Sequence, residues 1–232
     1  MTSPTFVAAG AVVPVPSNGN GSVNVPAPAG LQDDDIVLLF HIKGNNATAS
    51  VLSTADFSAE IAGGNNGTFN IDCGIRWLRA SSEPTSWTVQ ETAAPTQGLA
   101  FAAAWRGVPP GASPAYEDVQ NFLAPSATTP VAFPTATATS ADSTFVGFAI
   151  EYLGNTVTFS PGGALTERYD HGATSRSFAL YDEAISGAGS ISGRTITPSA
   201  SARCRTVSIV LPGTAGGGGG GVPIKAFRII HG

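Results

Sequence analysis

Short runs of alternating apolar and polar residues, each closed by Gly, Pro or Asn, recur along this chain, and none keeps a helical period. Alternation with a period of two marks a strand with one face buried. Ile36, Leu38, Phe40 and Ile42 form one such face, and Phe69, Ile71, Cys73, Ile75 and Trp77 form the cleanest. Leu99, Phe101, Ala103 and Trp105 make a third, and Val146, Phe148, Ile150 and Tyr152 a fourth. Shorter candidates are Val157–Phe159, Leu165–Tyr169, Phe178–Tyr181 and Val207–Leu211, and the best helical candidate is a brief one around Ser53–Glu60. Between the runs stand turn formers such as Pro26-Ala27-Pro28-Ala29-Gly30, Gly63-Gly64-Asn65-Asn66-Gly67, Pro109-Pro110-Gly111 and Pro161-Gly162-Gly163. Asn and Gly reach positive φ at little cost, and Pro fixes φ and lacks an N–H, so these clusters break both helix and ladder. Gly and Pro, 28 and 17 of 232 residues, exceed the ordinary share of roughly one in eight.

The expected fold is therefore all-β, an antiparallel β-sandwich of jelly-roll type with no internal repeat, formed by residues 1–212 as one domain. Residues 213–221 read as a Gly-rich tether, because Gly216–Gly221 is an unbroken glycine run; six glycines reach roughly 13 Å. Residues 222–232 alternate again, with Ile224 and Ile230 on one face and Phe227 and Ile229 on the other. Such a segment either closes its own sandwich as a last strand or adds to a neighbouring subunit, so Ile224, Phe227, Ile229 and Ile230 are the candidate assembly contacts.

Charge narrows the function. Eleven Lys and Arg against sixteen Asp and Glu give a net charge of −5, and only Lys43 and Lys225 are lysines. No basic stripe exists to displace counterions from phosphates, so nucleic acid is excluded as a partner. No apolar run is long enough to span a bilayer as a helix, and no basic residue precedes Lys43 as a secretory leader would need. Synthesis in the cytoplasm without export is the expectation. Cys73 and Cys204 then read as buried thiols, with a long-range bridge as the alternative. With His41, His171 and His231 scattered, they make no metal site, and no cofactor is expected.

Catalytic constellations are hard to assemble. The acids fall as Asp33-Asp34-Asp35, Glu117-Asp118, Asp170 and Asp182-Glu183, mostly at strand ends, with Glu151 alone in a strand. A glycosidase pair must face one cleft, which strand-end turn acids do not suggest. The spaced ladder of a calcium loop is missing, so Asp33–Asp35 reads as a solvated turn. There is no Gly-x-Ser-x-Gly elbow and no phosphate loop. Asp170 and His171 are adjacent, so on a strand they face opposite ways; a loop carrying two polar residues is expected. Asn46 and Asn66 sit in glycosylation sequons that, without export, are polar turns. Trp77 and Trp105 lie in phase with apolar faces and belong to the core. Trp87 follows a turn and has two equal readings: partly exposed, it is with Tyr116 the candidate ligand contact, a ring to stack on a sugar, or it covers an edge of the sandwich.

The order of segments also resembles a known group. Phe6–Ala11, the turn Pro28-Ala29-Gly30 leading through Asp35 into Ile36–Ile42, Ile75-Arg76-Trp77-Leu78 and Ser86-Trp87-Thr88-Val89 carry the likeness. Ala104-Trp105-Arg106-Gly107-Val108, Phe145–Tyr152, Ser177–Tyr181 and Val207–Leu211 continue it. Over roughly residues 5–212 the chain resembles the β-sandwich structural proteins of tailed-bacteriophage virions. That resemblance implies a non-enzymatic protein on the particle surface, a minor tail or fibre component or a capsid decoration protein. It would be assembled in the host cytoplasm with copies of itself and other virion proteins. The alternative is a carbohydrate-binding module of the tail that recognises a host surface glycan, and a glycoside hydrolase is the least favoured reading.

Overall fold

The alternating runs become two large antiparallel sheets, one built by each half of the chain. The structure, a computed structural model, describes residues 2–15, 22–44, 57–58, 61–63, 71–90, 97–124, 127–151, 155–173 and 176–213. In the first half the strands are β1 (Thr5–Ala9), β2 (Val13–Val15), β3 (Ser22–Pro26), β4 (Ile36–Gly44), β5 (Ala62–Gly63), β6 (Ile71–Arg79), β7 (Ser86–Gln90) and β8 (Gln97–Arg106). The second half holds β9 (Asp118–Leu123), β10 (Val131–Ala132), β11 (Ala136–Ala138), β12 (Asp142–Glu151), β13 (Phe159–Pro161) and β14 (Thr166–Ala173). It ends with β15 (Arg176–Ser186), β16 (Gly189–Ile191), β17 (Thr195–Pro198) and β18 (Cys204–Leu211). The first sheet runs β1-β8-β4-β6-β5 with β2 also on β8, and the second runs β14-β15-β12-β18-β9. No helix among the described residues is long and apolar enough to cross a membrane.

The inner faces of the two sheets meet in one core. Ile36, Leu38, Phe40, Ile42, Phe101 and Trp105 come from the first sheet, and Val146, Phe148, Ile150, Phe178, Val207 and Ile209 from the second. Phe40 is the cross-strand partner of Phe101, and their rings stack at 4.7 Å. Phe148 approaches Phe40 at 4.6 Å, and Phe178 stacks on Phe101 at 4.9 Å. Each aromatic ring buried there contributes about 1.5–3 kcal/mol, so this contact dominates the packing between sheets.

The outer faces are covered too, which a simple alternation does not predict. The β3–β7 pair lays Val25, Trp87 and Val89 on Val37, Leu39, Ala100, Ala102 and Ala104. On the other side, Phe133, Phe159, Ile191 and Ile196 of the short strands and their loops cover Phe145, Ala149, Tyr181 and Val210. The molecule is thus a stack of antiparallel layers in which β12 and β18 are buried on both faces. Small residues permit the close approach: a Cβ on Gly147 would lie 2.8 Å from Phe133 Cζ.

One expectation is corrected by the strand map: the short run at Val157–Phe159 forms its strand later, as Phe159–Pro161. The two large sheets follow matching paths, β1-β8-β4-β6-β5 and β9-β18-β12-β15-β14, although the residues themselves show no repeat. The expected strand through Tyr152 continues only to Glu151 within the described residues, and Phe69 lies outside them. The helical candidate Ser53–Glu60 also lies outside them, except for Phe57 and Ser58, where Ser58 N donates to Trp77 O at 2.9 Å.

Candidate functional site

A concavity opens between two turns at one end of the first sheet. Residues 27–35 connect β3 to β4, and residues 80–85 connect β6 to β7. Gly30 turns the first connection with φ +76°, and two non-glycine residues, Asp34 at +70° and Ser82 at +56°, also occupy the left-handed region. Asp tolerates that conformation through local hydrogen bonding, whereas Ser adopts it less readily. Here the two turns hold each other in place. Asp34 N donates to Ala80 O at 2.9 Å, Ala80 N to Asp35 O at 2.8 Å, and Ala27 N to Thr85 O at 2.9 Å. Ser82 N donates to Asp33 Oδ1 at 2.8 Å.

Two arginines fix this end from behind. Arg106 Nε and Nη2 donate to Asp35 Oδ1 and Oδ2 at 2.8 and 2.7 Å, a bidentate pair. Gln32 N adds a third hydrogen bond to the same carboxylate. Arg79 reaches the carbonyls of Asp34, Val108, Pro109 and Ala112, so one guanidinium ties the Asp33–Asp35 turn to the segment after β8. Asp35 is only 1% exposed. The reading of Asp33–Asp35 as a solvated turn therefore holds for Asp33 and Asp34, which are exposed, and is wrong for Asp35. The alternating pattern placed Asp35 just before a strand but carried no sign of its partner 71 positions away.

The groove itself encloses about 450 Å³, and its walls include Pro28, Leu31, Asp33, Glu83 and Pro84. Its acids already serve the protein: Glu83 accepts from Ser81 N and from Trp87 Nε1 at 2.9 and 3.0 Å. Among the described residues no cation and no nucleophile–base pair lines it. Its chemistry is that of an open, weakly apolar trough with an acidic rim, able to accept an extended neutral or cationic group by shape and backbone contacts.

The candidate ligand ring does not face this trough as a stacking surface. Trp87 is 2% exposed, its ring edge-on to Phe57 at 5.3 Å. Of the two readings of Trp87, its burial in the outer cluster supports the covering one and not the exposed one. The β3–β7 pair is a covering layer, and its apolar side chains turn inward. Tyr116 is half-buried against the inner core, and Trp87 belongs to the outer cluster, so the two candidates do not share a site. Ile224, Phe227, Ile229 and Ile230 lie outside the described residues.

Glu117, Asp118, Asp182 and Glu183 act as ties between layers. Glu117 accepts from Thr139 N and Ser143 Oγ, each at 2.9 Å. Burial raises its pKa, but hydrogen bonds from Ser140, Thr139 and Ser143 outweigh it and leave the group below its ordinary value. Asp118 accepts from Thr137 N. Asp182 accepts from Trp105 Nε1 at 3.1 Å and Arg168 Nε at 2.8 Å, and Glu183 binds Arg194 through both oxygens at 2.7 and 2.9 Å.

Asp170 and His171 are on strand β14, not in a loop. His171 stacks on Phe178 at 5.0 Å, and Asp170 accepts from Phe159 N of the outer layer at 3.2 Å. The neighbours thus face opposite sides of the sheet and do not form a carboxylate–imidazole pair. Burial lowers the His171 pKa and raises that of Asp170. Among the described residues no three His, Cys, Asp or Glu side chains gather as a metal site.

Cys73 and Cys204 are buried thiols, not a disulfide. Cys73 belongs to the inner core and Cys204 to the outer cluster of the second sheet. Burial, with the Glu151 charge beside it, pushes the Cys204 thiol up to about 12. Ellman's reagent should therefore leave both thiols unmodified in native buffer over minutes and label two per chain in guanidinium. Rapid stoichiometric labelling of the native protein would contradict this burial. No family model, curated protein sequence or solved structure matches the chain.

Proposed function

We propose that this protein is a non-enzymatic structural subunit of a tailed-phage virion, displayed on the particle as a minor tail or fibre component or as a capsid decoration protein. The observation that carries the reading is the use made of its charged groups. Asp35, Glu83, Glu117, Asp118, Asp182 and Glu183 each bond to another part of the same chain. Layers held together by such ties make a rigid scaffold, suited to carrying contacts made elsewhere. The packed antiparallel sheets are compatible with the reading, and jelly-roll winding is part of the proposal. Its partners are copies of itself and other virion proteins. The contacts are assigned to the apolar tail, through Ile224, Phe227, Ile229 and Ile230, beyond the glycine tether.

Deletion of residues 214–232 removes no described strand, so the shortened chain should fold with an unchanged circular dichroism spectrum. It should fall at least tenfold in abundance in purified particles when supplied in place of the full chain. Undiminished incorporation would overturn the role of the tail. A second reading, a carbohydrate-recognising module of the tail, is favoured by the open groove beside Glu83 and Pro84. It requires saturable binding to a host surface polysaccharide that Glu83→Lys weakens, and a flat titration across such glycans would remove it.

A further inference from the structure

We infer that the chain is one self-complementary module present twice, and that the inner face of each half is a docking surface whose partner is the other half. The shared strand path is one sign, and the register is a stronger one. Phe40 pairs with Phe101 and Ile75 in the first sheet, and Phe148 pairs with Val207 and Leu180 in the second. With Phe40 set equivalent to Phe148, Leu38 falls on Val146, Ile42 on Ile150 and Trp105 on Leu211. The edge strands obey the same relation: Ala9 pairs with Ala103 as Val119 pairs with Ile209, and Ala62 pairs with Ile75 as Tyr169 pairs with Leu180. All of these residues belong to, or pack on, the inner core.

The contacts between halves have the symmetry of a two-fold pair. Strand β1 lies against β14, and their counterparts β9 and β5 lie against each other. A patch that meets its own equivalent is the mark of an isologous interface. Each half also covers its outer face with an equivalent two-stranded pair, β3–β7 in the first and β11–β16 in the second.

The two inner faces differ in a way that makes them complementary. Phe101 corresponds to Val207, and Phe178 to Cys73, so the stacked Phe101–Phe178 pair corresponds to a Val207–Cys73 pair. On that smaller side the guanidinium of the buried Arg205 takes up space, with Nη1 4.0 Å from Cys73 Sγ. A like pair would set Phe101 against a second Cys73, or Phe178 against a second Val207, so only unlike halves form the Phe101–Phe178 stack. The partner that fits each inner face is thus the opposite half of the same chain.

A protease site inserted between Pro110 and Gly111, both exposed in the segment after β8, tests this on the full-length protein. The folded chain is cleaved, and its halves are separated in urea and refolded alone and mixed. Mixed halves should return as a 1:1 complex with one unfolding transition, and neither half alone should show it. A circular permutant guards against loss through the cut: Gly232 is joined to Met1, and the new termini are at Gly111 and Pro110. Because Gly213 packs beside Thr2, the permutant keeps every strand in place and should unfold in one transition close to the parent's. Halves that fold separately as monomers and do not co-elute at micromolar concentration overturn the inference. A permutant that does not fold also overturns it.

Discussion

Phe101→Ala is expected to lower the free energy of unfolding by about 3–5 kcal/mol, the range for deleting a fully buried aromatic ring. Phe101 is wholly buried and stacks on rings from both sheets: Phe40 at 4.7 Å, Phe178 at 4.9 Å and Tyr169 at 5.7 Å. Its loss opens a cavity at the contact between the halves, where rigid strands on each side limit collapse. Its neighbour on the outer face, Ala100, is equally buried, so the strand cannot rotate to refill the space. Urea titration of the purified variant measures the effect as a lower midpoint at unchanged slope. A loss below about 1 kcal/mol would mean the inner core is not packed as described.

Asp182→Ala should cost nearly as much for a different reason. Asp182 is 4% exposed and bonds both Trp105 Nε1 and Arg168 Nε. Removing it leaves a buried indole N–H without an acceptor and a cation without its partner. Breaking a fully buried ion pair costs about 3–5 kcal/mol. Arg168 is 32% exposed and can turn to water, so about 2–3 kcal/mol is expected after that relief. Asp182→Asn keeps an acceptor for Trp105 and should fall between the variant and the parent. In a double-mutant cycle with Arg168→Met, a coupling near zero would show that the ion pair contributes nothing.

The long strands were legible because each carries enough residues to show a period of two. Ile36–Ile42, Phe101–Trp105 and Val207–Leu211 all fall within strands of the structure. Strands of two or three residues, such as β10 and β16, are too short to show one, and the five-residue β3 and β7 pair across a long stretch of chain, so the covering layers were invisible. Those layers decide the exposure of Trp87: its ring is out of water because Phe57 and the outer face of the first sheet lie beneath it. The repeat escaped for another reason. Equivalent positions carry different volumes, Phe101 against Val207 and Ala103 against Ile209, because the rings gather on one side of the contact, where Phe101 stacks on Phe178. The strand pattern is repeated while the residues are not. Asp35 and Asp182 looked like turn acids because sequence separates them from Arg106 and Trp105 by 71 and 77 positions.

Copy number in purified particles tests the proposed role most directly. Quantitative mass spectrometry, calibrated with labelled peptides from this chain and from the major capsid protein, gives copies per particle. A structural subunit predicts a fixed value that survives repeated purification. Hundreds of copies would correspond to capsid decoration, and a small multiple of three or six to a tail or fibre component. Absence from particles that are otherwise complete and infectious would contradict the account.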